Sequence, residues 1–160
     1  MTTSFDAGTH FDPLHPQALA VYCSDGRFTR AVEELLAHIG YDRLDTMTLP
    51  GGPALLNRLT ASYADADASA KAASFLIVGH NIEHVVLLAH AGCGYYRAKR
   101  PTDSPEQTKT RQIDDLRLAA KALSKVKPDL DVSLYYAQPV GAAVRFEHIS
   151  HVRSPHDSRR

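Results

Sequence analysis

The 160-residue chain has no net charge, its 18 Lys and Arg cancelling 18 Asp and Glu. That balance gives no reason to expect nucleic acid or an anionic membrane as a partner, since both select basic surfaces. Long apolar runs are also missing. Apolar stretches such as residues 75–78 fall far short of the ~20 residues that span a bilayer. Cysteine is scarce: Cys23 and Cys93 are the only two, too few for a small secreted disulfide scaffold. No charged-then-apolar leader, internal repeat or low-complexity tract is found. At 44% hydrophobic and 22% charged residues, the composition excludes disordered and collagen-like classes. The expectation is a soluble, cytoplasmic protein with no nucleic-acid and no membrane partner, in which two cysteines need an explanation.

What is present is a regular alternation of elements. A chain of this length suits one domain and can bury roughly 70% of its unfolded surface. Residues 1–16 are polar and turn-rich and read as an N-terminal arm. Residues 17–151 form the predicted α/β domain, and 152–160 a flexible tail. Residues 18–23 have the length of a buried strand. Phe28, Val32, Leu35, Leu36 and Ile39 then recur on one helical face, which Gly40 stops. A second strand at 44–49 ends at Pro50-Gly51-Gly52-Pro53, and an alanine-rich helical region runs to about Gly79. Residues 84–90 (HVVLLAH) are a continuous apolar run of the kind buried on both faces of a parallel sheet. A helix starts at Ser104-Pro105-Glu106-Gln107, which fits a capping box with Pro at the first helical position. Ile113, Leu116, Ala120 and Leu123 are its expected buried stripe, and Pro128 marks its end. Strands near 131–138 and 142–149 read as a closing hairpin. The pattern predicts an α/β fold with a mostly parallel sheet of four strands plus one antiparallel edge strand, and helices on both faces.

Ligands in such sheets bind beyond the carboxyl ends of the strands, and both cysteines lie there. Cys23-Ser24-Asp25-Gly26-Arg27 follows the first strand, and His90-Ala91-Gly92-Cys93 follows the third. Two thiolates and an imidazole are ligands of the kind zinc selects, and three protein ligands leave a fourth tetrahedral position open, as in catalytic sites. At this point two alternatives stand beside the zinc site: a free cysteine often packs as a small buried hydrophobe, and two thiols can form a redox pair, although no Cys-x-x-Cys occurs here.

Cys-x-Asp-x-Arg after the first strand with His-x-x-Cys-Gly after the third resembles the signature of the beta-class carbonic anhydrases, zinc enzymes that interconvert carbon dioxide and bicarbonate. Residues 84–90 are similar to that family's central strand, and the closing hairpin with Tyr135, Tyr136 and residues 144–147 to its last strands. The resemblance implies Zn²⁺ held by Cys23, His90 and Cys93, and at least a homodimer. It further implies catalytic roles for Asp25 and Arg27. Two thiolates offset the metal charge, so water there should be less acidic than at a three-histidine site and needs help. Arg27 would keep Asp25 ionised and oriented, and Asp25 would accept a hydrogen bond from the attacking water. If the pair broke, Asp25 could become a fourth zinc ligand and close the site.

The sequence departs from the family in places. Thr48-Leu49-Pro50-Gly51-Gly52 stands where an Arg-x-Ala-Gly-Asn run is common, Gly92 stands where aspartate often precedes the second cysteine, and the N-terminal segment is short. Glycines at 51 and 52 would still let backbone groups approach the site. The expected function is zinc-dependent reversible hydration of CO₂, a carbonate dehydratase (lyase) activity. Hydrolysis of COS or CS₂ on the same site, or a zinc-bound binding or regulatory module with little turnover, are the alternatives. Tyr95 and Tyr96 are expected in the core or on the pocket wall, and His80, His84 and His148 as structural or surface groups. His10 and His15 in the arm are candidates to reach a partner subunit. Nine Lys or Arg against four Asp or Glu over residues 97–127 read as a solvated helix face.

Overall fold

The apolar run at the start of the domain becomes β1 (Ala18–Cys23), with all its residues buried, in a computed structural model that describes residues 3–150. A strand buried on both faces belongs in the middle of a parallel sheet. β1 pairs in parallel with β2 (Asp45–Leu49) on one side and with β3 (His84–His90) on the other. β4 (Asp131–Val140) lies parallel to β3, and β5 (Ala143–Ile149) returns antiparallel at the edge. The order is β2-β1-β3-β4-β5, the four-plus-one sheet expected from the alternation of elements. The tail at 152–160 lies outside the described residues.

Side chains alternate across a strand, and that period sorts the core into two layers. Leu19, Val21, Val85 and Leu87 face α2 (Tyr63–Gly79) and α4 (Pro105–Ser124), meeting Ala73, Ile77, Leu116, Ala119 and Leu123. Ala20, Tyr22, Val86 and Leu88 face α1 (Gly26–His38), which contributes Phe28, Val32 and Leu36. Helices therefore cover both faces. Among the described residues, no helix is long and apolar enough to cross a membrane.

Local chemistry accounts for most helix ends. The Asp25 carboxylate accepts from the Arg27 N–H and caps α1, and Gly40, at φ 97°, turns the chain away after it. Ser104 and Gln107 form the reciprocal capping box of α4. Two features add detail that the sequence leaves open. The alanine-rich stretch is not one helix: a 3₁₀ turn at Gly52–Leu56 comes first, and α2 begins only after Ser62 caps it through the Asp65 N–H. A short helix, α3 (Gly94–Lys99), also follows Cys93, and six residues are too few to show a periodicity. On α4, Ile113 is only partly buried, while Gln112 and Asp115 take buried positions.

Pro50-Gly51-Gly52-Pro53 presses against the end of β1. Gly52 has φ 52°, and a Cβ there would lie 2.7 Å from the backbone of Tyr22 and Cys23. A left-handed conformation already costs an L-residue roughly 1–2 kcal/mol, and neither strand atom can swing aside. Gly52→Ala is therefore expected to lose more than about 2 kcal/mol, or about 4–8 °C of melting temperature. Gly79→Ala, at an open position in the last turn of α2, should be neutral or stabilising by a few tenths to ~1 kcal/mol. Thermal melts followed by circular dichroism compare the two; equal midpoints would contradict the close approach.

Candidate metal centre

Because β1 and β3 run side by side in the same direction, their last residues, Cys23 and His90, emerge at one edge of the sheet. The chain leaves β3 through Ala91 and Gly92, the latter at φ 68°. This tight turn returns Cys93 to the same point as the cap of α3. One ligand atom each from Cys23, His90 and Cys93 lies within 4.8 Å of the others. The two Sγ atoms are 3.9 Å apart. All three residues are secluded, at 9%, 4% and 2% exposure, so the cluster is dry on its protein side.

The imidazole is oriented for a ligand. His90 Nδ1 lies 2.9 Å from the Ala91 carbonyl, which can only accept, so Nδ1 carries the proton. Nε2 then presents a lone pair, and it is buried without a hydrogen-bond partner. An orphaned buried nitrogen is costly unless something occupies it. Aimed at two thiols, it fits a borderline-soft metal ion such as zinc, and the backbone partner on the other nitrogen is the usual way a ligating histidine is fixed.

The thiols are unequal. Hydrogen bonding with Cys93 pulls the Cys23 thiol down against burial, with help from His90, the Gly51 N–H and the Asp25 backbone. The same contact, followed by burial, pushes Cys93 up. Cys23 is thus the first to ionise, and the Gly51 N–H donates to its Sγ at 3.4 Å. Burial alone would pull His90 down, but the hydrogen bond to Ala91 and the nearby charges of Cys23 and Asp25 leave it raised.

Asp25 and Arg27 stand at the mouth. Arg27 Nε donates to Asp25 Oδ1 at 2.9 Å and its terminal nitrogen to Oδ2 at 2.5 Å, a two-pronged pair of the strong, charge-assisted kind. The Arg27 side chain is 69% exposed and that of Asp25 only 18%, so the guanidinium covers the carboxylate from outside. Arg27 also donates to the Gly92 carbonyl at 3.3 Å, tying α1 to the turn before Cys93. The guanidinium holds the Asp25 carboxyl down to about 2, from an ordinary 3.8. Asp25 Oδ2 remains 4.0 Å from His90 Nε2. Both carboxylate oxygens are engaged by Arg27, the paired arrangement rather than a carboxylate turned onto the cluster. A cavity of about 390 Å³ opens beside the pair, lined by Arg27, Phe28, Gly92, Pro139 and Val144 among others.

Behind the cluster the walls are aromatic and polar. Tyr96 is buried and Tyr95 packs beside it against Cys23, Ala54 and Cys93. The Tyr95 ring fills the space where a Cβ on Gly51 would sit. Burial, then the neighbouring Asp115 carboxylate, pushes the Tyr96 hydroxyl well above its ordinary range, so it donates to Asp115. Asp115 also accepts from Asn57 and Thr60, and Gln112 donates to the His90 carbonyl. Asp115 and Gln112 escape sequence reasoning. Their one signal is that two polar residues three apart sit inside the buried stripe of α4.

The other histidines are elsewhere. His80 pairs with Asp45 at 2.6 Å and stacks on His15 of the same chain. His84 meets Asp131, His148 stacks edge-on with Tyr135, and His10 is exposed.

Residues 15–149 match the family described as "Putative carbonic anhydrase". No curated protein matches the chain. Among solved structures, the beta-carbonic anhydrase CafA of Aspergillus fumigatus superposes with a TM-score of 0.60 at 15% identity, over 89% of this chain and 79% of that one. One of the tetrameric beta-carbonic anhydrases of Sordaria macrospora gives 0.54 at 16%, over 85% and 81%. The isoform I enzyme of Trichomonas vaginalis gives 0.55 at 11%, over 86% of each chain. At these identities the superpositions speak for the fold, and the sequence match over residues 15–149 for descent. The chain is a member of this carbonic anhydrase family, built on the beta-class fold.

Proposed function

We propose that the protein binds one Zn²⁺ through Cys23, His90 and Cys93 and catalyses the reversible hydration of CO₂ to bicarbonate, with Asp25 and Arg27 as its catalytic pair. The observation that carries this reading is the unpartnered His90 Nε2, buried between two thiols with the Asp25 carboxylate 4.0 Å away. Zinc, when bound, supplies the Lewis acidity that lets water act as a nucleophile near neutral pH.

The chain's own residues do the rest. The Gly51 N–H stabilises negative charge on Cys23, which favours the ligating thiolate. Tyr95, Tyr96 and Ala54 close the inner side against bulk water. Asp25, kept ionised by Arg27, accepts a hydrogen bond from the water that adds to the CO₂ carbon and so orients its lone pair. One C–O bond forms, one proton is released and bicarbonate departs. The exposed guanidinium of Arg27 offers the anionic product a positive exit. CO₂ is small, linear and uncharged, which suits the apolar wall of Phe28, Ala91 and Val144 in the adjoining cavity. A homo-oligomeric, cytoplasmic enzyme completes the reading; the tetramers of the Sordaria proteins and the exposed Phe75 and Val78 on α2 support assembly.

Purified protein should carry about one zinc per chain, and Cys93→Ser should lose it. Stopped-flow assays between about pH 6.5 and 9 should show hydration rising with pH as water deprotonates. A zinc-loaded protein inactive across that range would instead favour a binding module, and activity on COS or CS₂ alone a related hydrolase. Asp25→Asn should retain zinc and slow turnover by about tenfold or more; unchanged turnover would remove Asp25 from the mechanism.

The Asp25 pair also has a definite acid limit. A carboxyl lowered from 3.8 to about 2 in the folded protein contributes stability that is complete above the upper value and disappears as pH falls through the lower. Carbon-detected NMR titration should therefore place the Asp25 midpoint near 2. In Arg27→Ala it should move up toward 3.8, and an unmoved midpoint would sink the pairing argument.

A further inference from the structure

Two buried polar residues on α4 bond to the strand that ends at His90, to the helix that Cys93 caps, and to the loop whose leading glycine donates to Cys23. Gln112, 1% exposed, donates from Nε2 to the His90 carbonyl at 2.8 Å. Asp115, one turn later and 6% exposed, accepts from the Tyr96 hydroxyl, three residues after Cys93. Its other oxygen accepts from Asn57 Nδ2 at 2.5 Å and Thr60 Oγ1 at 2.7 Å. Asn57 ends the 3₁₀ turn, and Gly51, just before that turn, donates to Cys23 Sγ. The His90 and Cys93 segments thus meet two side chains three residues apart on one helix directly, and Cys23 is linked to them through the 3₁₀ turn and Gly51.

Stability alone gives a poor account of these residues. A buried carboxylate is expensive to desolvate, and apolar residues of similar volume in such places are often neutral or better. Gln112 Oε1 is buried with no partner, so the glutamine makes one hydrogen bond while leaving an acceptor empty. Methionine, nearly the same shape, would avoid that cost. What methionine could not do is hold the His90 carbonyl, and no apolar residue could hold α3 and the 3₁₀ turn at a set distance from each other.

We propose that Gln112 and Asp115 are positioning residues that set the separation of the Cys23, His90 and Cys93 ligand atoms before a metal ion arrives. The proposal rests on the zinc-site reading above. The groups that hold first ligands in place commonly govern metal affinity and geometry through orientation, without touching the ion.

The test uses full-length protein, zinc and cobalt(II), and the variants Gln112→Met, Asp115→Asn and Tyr96→Phe. Zinc affinity is read by competition with a chromophoric chelator, and ligand geometry by the visible absorption of the cobalt(II) form. Gln112→Met and Asp115→Asn should weaken zinc binding about 10–100-fold and alter the cobalt bands. Tyr96→Phe, which removes one hydrogen bond and keeps the ring, should shift both in the same direction by a smaller factor. Should Asp115→Asn fail to fold, Gln112→Met and Tyr96→Phe decide the matter. Variants that melt lower yet keep wild-type affinity and cobalt spectrum would overturn the proposal, because a purely structural role predicts that result. A wild-type protein that binds neither metal would overturn the zinc-site reading itself, a different and distinguishable failure.

Discussion

Two parallel strands hydrogen-bonded to one another end at the same edge of their sheet, and the Cys23, His90 and Cys93 cluster depends on β1 and β3 doing so. Their pairing, from Ala18 with His84 to Val21 with Leu87, brings Cys23 and His90 together although they lie 67 positions apart in the sequence. The pairing is strongly specified because both strands are buried on both faces. A slip of one residue would exchange the side chains that meet α1 with those that meet α2 and α4. Core packing thus sets the register, and the register sets the site.

The turn after β3 adds the third member of the cluster at little cost. Gly92 in a left-handed conformation reverses the chain within two residues, and Cys93 becomes both a cluster member and the cap of α3. On the opposite side, Gly51 and Gly52 bring backbone to within hydrogen-bond reach of Cys23, a place any side chain would obstruct. The cluster is therefore enclosed by backbone and aromatic rings on the inside. Asp25 and Arg27 form a polar mouth, and the same Asp25 that caps α1 faces His90 there.

Polar groups below the site are treated differently from those above it. At the mouth, Arg27 is mostly in water, so solvent screens its pairing with Asp25. Under the cluster, Asp115 is surrounded by three donors and Gln112 bonds straight to the strand carrying His90. In the proposed reading the first pair orients water, while the other two side chains hold the distances between segments.

Much of this was readable beforehand. The buried runs at 18–23 and 84–90, the α1 face and the α4 capping box all come from local periodicity and short-range hydrogen bonds, which neighbouring residues determine by themselves. Cys23, His90, Cys93, Asp25 and Arg27 were visible because glycine-punctuated turns after strands are where α/β folds place their chemistry. The break of the alanine-rich stretch was not readable, since it follows from Asn57 reaching Asp115 on another element. Nor was α3, whose six residues carry no period, nor the choice of Gln112 and Asp115 over Ile113 for burial. The sequence alone determined the five strands, α1, α4 and which residues bring reactive side chains. Only the tertiary structure decided that His90 Nε2 faces two thiols and that α4 reaches the His90 strand, α3 and the 3₁₀ turn. Those outcomes depend on contacts between residues far apart along the chain, whose distances exist only once the sheet has closed its register.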